Sequence, residues 1–144
     1  MLIGEYTHTI DDKKRLALPK KIAKELGKKI VITRGLDGAL FMYSAKSWDV
    51  IAKKLQQLSF TGADTRGFNR FMLSGASEID VDGVGRILIP EYLKTFAGLG
   101  TKVVLAGVVD RVEVWDAEKW ATYKTKIESQ ADAMAEKLSE VGIL

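Results

Sequence analysis

The sequence predicts an α+β fold in which two similar halves pack into one pseudo-symmetric unit. The main observation is an internal repeat: residues 11–22 (DDKKRLALPKKI) align without a gap with residues 82–93 (DGVGRILIPEYL), at an offset of 71. Both copies run from strand to polar turn to strand, and then into a helix that starts at a proline. Each copy has only about 70 residues, near the lower limit for an independent core, so joint packing is favoured.

The first copy shows a clear order of strand and helix signals. Pro19 suits the first turn of a helix, which Gly27 ends. Trp48, Ile51 and Leu55 recur at helical spacing. The predicted elements are a strand over 2–10, a turn over 11–14, a short strand over 15–18, a helix over 19–26, strands over 29–34 and 39–43, and a helix over 45–58.

The second copy repeats this order after a linker predicted at 59–65 and a short helix at 65–73. We therefore expect two units, 1–62 and 63–144, each with its following helix. The last helix starts near Asp116 and carries a nearly heptad-spaced apolar seam. Two interpretations of this seam stay open, packing on its own domain or contact with a neighbouring subunit. Its members are Trp120, Tyr123, Ile127, Ala131, Met134 and Leu138.

Composition excludes several classes of protein. There is no cysteine, so neither disulfides nor thiol chemistry is possible. No apolar run approaches the roughly 20 residues that a membrane helix needs, and the N-terminus does not resemble a signal peptide, so we expect a cytoplasmic protein.

Enzymatic sites are not evident either. No phosphate-binding glycine loop is present, and His8 is the only histidine. The acid pairs Asp11–Asp12 and Asp80–Asp82 make weak candidates for a divalent ion. We therefore expect no catalytic residue, metal, cofactor or small-molecule substrate.

The net charge of +3 hides a marked asymmetry. Residues 1–70 carry 14 Lys/Arg and 7 Asp/Glu, a net of +7, whereas residues 71–144 carry 8 and 12, a net of −4. From Lys13 to Lys29 there are eight cations against Glu25 alone. Such a cluster is typical of proteins that bind a polyanion, although a solvated surface helix would also explain it.

The repeated motif is Asp-x-x-x-Arg, formed by Asp11 and Arg15 and again by Asp82 and Arg86. The aspartate and the arginine can pair across a turn between two short strands. In the first copy Lys13 and Lys14 add to the charge of Arg15, which favours DNA contact over a purely structural clamp. In the second copy Gly83-Val84-Gly85 adds no cation, which favours the clamp.

The paired motifs, their continuations LPKKI and IPEYL, and the segment WDAEKW resemble the MraZ family of bacterial transcriptional regulators. The resemblance covers essentially the whole chain. It implies two tandem AbrB-like swapped-hairpin units that form a small pseudo-symmetric β-barrel flanked by helices. It also implies a ring-shaped homo-oligomer, associated with the nucleoid, that binds direct repeats in promoter DNA and represses its own division and cell-wall operon.

The motifs and the basic cluster together indicate which residues contact the DNA. One departure from the family pattern is Lys14, where a small residue usually precedes the arginine. Two alternatives to regulation remain, an AbrB-like antitoxin and a structural or protein-interaction ring without sequence-specific DNA binding. The candidate DNA-binding residues are Asp11, Lys13, Lys14, Arg15, Lys20, Lys21, Asp82 and Arg86.

Overall fold

The computed structural model describes all 144 residues, which form eight strands and five helices. The elements of the first copy are β1 (Leu2–Thr9), β2 (Arg15–Ala17), α1 (Lys20–Leu26), β3 (Lys29–Arg34), β4 (Leu40–Ser44) and α2 (Ala45–Gln56). The remaining elements are α3 (Ala63–Ser74), β5 (Ser77–Asp80), β6 (Arg86–Leu88), α4 (Glu91–Ala97), β7 (Lys102–Val109), β8 (Val112–Asp116) and α5 (Ala117–Glu140). The α+β class is confirmed, and each predicted helix and strand is present with end shifts of a few residues.

The two copies exchange strands with one another. The main sheet has six strands in the order β1-β7-β8-β4-β3-β5, and all of its ladders are antiparallel. Replacing each strand by its counterpart in the other copy (β1 by β5, β3 by β7, β4 by β8) gives the same order read backwards. The first strand of each copy therefore pairs with the third strand of the other copy, and the sheet has a pseudo-two-fold axis between β4 and β8.

The second strands of the two copies form a separate antiparallel ribbon. In it Arg15 lies opposite Leu88, and Ala17 lies opposite Arg86. Only an isolated bridge between Ile10 and Leu16 links this ribbon to the end of β1.

The strands do not close into the small pseudo-symmetric β-barrel that the family resemblance implied. The main sheet is open, since β1 and β5 form its two edges and no ladder joins them. The ribbon strands have three residues each and are soon followed by Pro19 and Pro90. Proline has no N–H to extend a ladder, so the ribbon covers the core without closing the sheet.

The core is shared between the copies. One cluster of 18 buried residues contains Leu16, Ile22 and Ile32 from the first copy together with Ile87 and Leu93 from the second. Alternation along the two ribbon strands places Leu16 and Ile87 against the sheet, and both are at most 1% exposed. The predicted joint packing of the two copies is confirmed.

The helices outside this core differ in how much of their surface is packed against the sheet. α2 and α3 pack beside β3 and β4 over a smaller cluster that includes Tyr43, Leu55 and Met72. α5 packs through Trp120 and Tyr123 on Trp115, and every residue from Glu128 onward is exposed. Even α5, at 24 residues the longest helix, lacks the continuous apolar stretch needed to cross a bilayer, as do the other four.

Candidate nucleic-acid interface

The first turn, residues 11–15, is organised around the Asp11 carboxylate. Its Oδ1 accepts hydrogen bonds from the backbone N–H groups of Lys13 (2.9 Å) and Arg15 (2.8 Å), and its Oδ2 accepts one from Arg15 Nε (3.0 Å). The Asp11 N–H also donates to the Arg15 carbonyl at 2.9 Å. The motif therefore spaces its aspartate and arginine so that one carboxylate closes the turn through three donors.

The second turn, residues 82–86, repeats this geometry. Asp82 Oδ1 accepts from the N–H groups of Val84 (3.0 Å) and Arg86 (2.9 Å), and Oδ2 accepts from Arg86 Nε (2.8 Å). The backbone N–H of the arginine is the largest influence that lowers the pKa of each aspartate, Asp11 and Asp82, below its usual value. The carboxylates are thus held in the charged form that the clamp requires.

This geometry makes a structural clamp compatible with ligand binding. Each arginine uses Nε for the clamp, whereas its two terminal nitrogens make no hydrogen bond or ion pair within the protein. The pair of terminal nitrogens is the part of a guanidinium that can fork onto two acceptors. The clamp holds the arginine in place and leaves that fork free.

The residue before each arginine adopts a left-handed backbone. Gly85 has φ 84°, and Lys14 at the equivalent position has φ 63°. Lysine thus occupies the position that glycine has in the second copy without changing the turn, but a side chain in this conformation costs about 1–2 kcal/mol. The departure at Lys14 adds a cation at some cost in stability.

Replacing Lys14 by glycine should therefore stabilise the protein. We expect Lys14→Gly to raise the free energy of unfolding by about 0.5–1 kcal/mol, because the relieved backbone strain exceeds the extra entropy of glycine in the unfolded chain. Urea denaturation measures the change. Lys13→Gly is the matched control, because Lys13 has no positive φ; a Lys14→Gly protein no more stable than this control would contradict the expectation.

The ribbon places the two turns at its opposite ends, because each turn precedes its strand and the strands are antiparallel. The first turn lies beside the start of α4, where Lys14 Nζ is 3.8 Å from Glu91. Lys13 and Lys14 are exposed, and the side chain of Arg15 is 29% exposed. Three adjacent cations are thus presented at this end.

The second turn lies beside α1 of the first copy. The N–H of Leu18, two residues before α1, donates to the Gly85 carbonyl at 2.9 Å, so Lys20 and Lys21 enter the helix near this end of the ribbon. The structure thus distributes the basic cluster between both ends. Lys24 and Lys28, which were not among the candidate site residues, line a depression next to the second turn. Only the exchange between the copies brings them there, and no local sequence signal indicates it.

Comparison with known proteins gives one consistent result. The family model described as "MraZ protein, putative antitoxin-like" matches residues 1–71 and again residues 72–140. The Transcriptional regulator MraZ of Moorella thermoacetica is 47% identical over 99% of this chain and 100% of its own length. The proteins of the same name from Acetivibrio thermocellus and Syntrophomonas wolfei are 46% and 44% identical over the same shares.

These matches agree with the tandem organisation and with the resemblance seen in the motifs. The family is non-enzymatic, as the sequence predicted. Because the family model matches both copies and the relatives align with nearly the whole chain, the chain belongs to the MraZ family.

Proposed function

We propose that this protein is a sequence-specific DNA-binding transcriptional regulator. The observation that carries the proposal is the first turn, where a rigid clamp presents Lys13, Lys14 and the free fork of Arg15. The relatives at 44–47% identity are named transcriptional regulators, which supports the same function here.

Each candidate residue has a distinct role in this proposal. Arg15 reads a guanine through two hydrogen bonds to O6 and N7, the commonest specific contact in the major groove. Lys13 and Lys14 bind phosphates beside it, and Lys20 and Lys21 add further phosphate contacts. Asp11 and Asp82 do not contact the DNA themselves but hold Arg15 and Arg86 in position.

We also propose that the protein forms a ring-shaped homo-oligomer that binds direct repeats in promoter DNA and represses its own division and cell-wall operon. Support for assembly comes from α5. Its first part packs on Trp115 of its own domain, whereas Met134 and Leu138 of the same seam are each 41% exposed. Packing on its own domain thus accounts for the first part of the seam, and the exposed part is available to a neighbouring subunit.

This function places the protein in the cytoplasm, at the nucleoid, because its partner is chromosomal DNA. We also propose that the chain consists of two units, 1–62 and 63–144, and that α3 begins the second unit. An antitoxin role, suggested by the wording of the family description, is the alternative to regulation.

Replacing Arg15 tests the proposal. Arg15→Ala should weaken binding to the promoter DNA upstream of the protein's own gene by roughly 1–3 kcal/mol and reduce its preference over a scrambled duplex. Lys13→Ala should weaken both duplexes alike and lower the salt slope by about 1, since it removes one phosphate contact. Fluorescence anisotropy across a salt series measures both quantities.

The control is Arg66→Ala on α3, because that arginine is exposed and lies outside both turns. Equal affinity of wild type and a folded Arg15→Ala protein for the promoter duplex would show that the first turn is not the reading site. Equal affinity of wild type for promoter and scrambled duplexes would instead favour a structural ring or an antitoxin.

A further inference from the structure

The second turn has a basic surface that its own sequence does not provide. Residues 83–85 are Gly, Val and Gly, so only Arg86 is charged positively within the turn. A depression nevertheless lies between this turn and α1, and Lys24 and Lys28 line it together with Gly83 and Gly85. The cations come from the first copy and the turn from the second.

Backbone contacts fix the two parts against each other. The N–H of Val81 donates to the Lys28 carbonyl at 2.8 Å, and Lys29 lies opposite Asp80 in the ladder of β3 with β5. On the other side the Leu18 N–H donates to the Gly85 carbonyl. The lysines are therefore held beside the second turn by main-chain geometry and not by flexible side chains.

The depression is open at the backbone level. A Cβ added at Gly27, Gly83 or Gly85 would meet no other atom within 4 Å. A sugar–phosphate strand can therefore approach the main chain of the turn closely while the lysine side chains reach it from α1.

The charge balance of the depression is positive. Asp82 is bound to Arg86 at 2.8 Å, and Glu25 on α1 is bound to the N-terminal amine at 2.7 Å. Lys24 and Lys28 are exposed and make no ion pair. Glu78 and Asp80, also exposed, lie on β5 towards the other face of the turn, where they line a separate depression with Arg15 and Arg86.

We propose that this groove, formed by α1 of one copy and the second turn of the other, is a second contact for duplex DNA that binds phosphates and does not read bases. This second contact rests on the proposed function, because the first turn supplies the sequence preference. Gly and Val at the tip offer no side-chain donor to a base edge, and Arg86 lines the separate depression with Glu78 and Asp80, not this groove. The unpaired lysines that do line the groove bind phosphate as point charges. Each chain then holds the duplex at both ends of its ribbon and reads it at one.

The first test removes the lysines. Lys24→Gln/Lys28→Gln should lower the slope of log K against log salt by about 2, and should weaken promoter and scrambled duplexes by a similar factor. Lys53→Gln/Lys54→Gln on α2 is the matched control, because it removes the same charge from exposed positions away from both turns. A slope change no larger than that of the control would overturn the second contact.

The second test changes the charge of the tip in both directions. Gly83 has no positive φ and has open space around it, so Gly83→Lys and Gly83→Glu should both fold. Gly83→Lys should tighten binding to both duplexes and Gly83→Glu should weaken it, with the ratio between duplexes unchanged. Gly67→Lys and Gly67→Glu on α3 are the controls, since Gly67 has similar open space.

The outcomes separate this inference from the proposed function. If wild type distinguishes promoter from scrambled DNA but the Gly83 pair behaves like the Gly67 pair, the second contact is wrong and the regulator remains. If a Gly83 substitution changes the ratio between the duplexes, the second turn reads bases, and the phosphate-only role is wrong. If wild type does not distinguish the duplexes at all, the proposed function itself fails.

Discussion

Fragments 1–62 and 63–144 are each expected to be unfolded as monomers and to regain the native spectrum only when mixed. Four of the six strand ladders join the two copies, and only β3 with β4 and β7 with β8 pair within one copy. A lone first copy would leave Leu16, Ile22 and Ile32, all at most 1% exposed in the intact chain, without their partners. A chain of about 60 residues that loses the other copy's side of a shared core cannot offset its conformational entropy.

Circular dichroism and sedimentation of each fragment, alone and in an equimolar mixture, measure this expectation. Sedimentation is needed because a fragment could pair with a second copy of itself through the same exchanged strands. The control is the full-length chain cut once within 57–62, a turn segment between α2 and α3, which should keep its fold. A monomeric fragment 1–62 that unfolds cooperatively would show that the first copy has an independent core.

A large part of this architecture is predictable because its signals are local. The Asp-x-x-x-Arg spacing predicts a closed turn, and the structure shows the carboxylate of Asp11 joined to the backbone and side chain of Arg15. Pro19 and Gly27 mark the ends of α1, and the helical spacing of Trp48, Ile51 and Leu55 predicts α2. Each of these patterns depends on neighbours within a few residues.

The exchange between the copies is not a local property. Nothing in β1 specifies β7 as its partner instead of β3, because both are apolar strands with a run of four consecutive buried residues. The repeat predicts a shared core, but the resemblance to a family, and not the spacing, supplied the swapped hairpins. The position of Lys24 and Lys28 beside Gly83 depends on this exchange, so the sequence alone indicates no cation at the second turn besides Arg86.

The β-barrel is an expectation that the structure corrects. The resemblance to the family implied the barrel, yet β1 and β5 are the edges of an open sheet. The decisive detail is that β2 and β6 have only three residues each. Element length is the least certain part of a sequence-based assignment, and here it decides between a barrel and an open sheet with a covering ribbon.

Moving one of two promoter boxes by half a helical turn, about 5 base pairs, should weaken binding by roughly 10²–10⁴-fold. The proposed phosphate contacts of a single chain are Lys13 and Lys14 at the first turn, Lys20 and Lys21 on α1, and the two lysines of the groove, and such contacts weaken steeply at cellular salt. In an oligomer the second box binds as an intramolecular step, and its contribution is lost when the box faces away from the neighbouring subunit.

The measurement uses duplexes with two boxes at the natural spacing, at that spacing plus half a turn, and at that spacing plus a full turn. The full-turn duplex is the control, because it changes the distance but restores the face. A duplex with one box gives the affinity of a single contact. If half-turn and natural duplexes bind equally, each chain recognises its box independently and avidity plays no part.

Removal of residues 128–144 tests whether the exposed part of α5 is the subunit contact on which the expected avidity depends. These residues are exposed in the chain and contain the apolar side chains Met134, Leu138 and Val141, so their loss should leave the fold intact while removing the proposed subunit contact. The truncated protein should sediment as a smaller species, bind natural and half-turn duplexes equally, and match wild type on the single-box duplex. Wild-type spacing dependence in the truncated protein would place the subunit contact elsewhere, because avidity would then persist without the exposed part of α5.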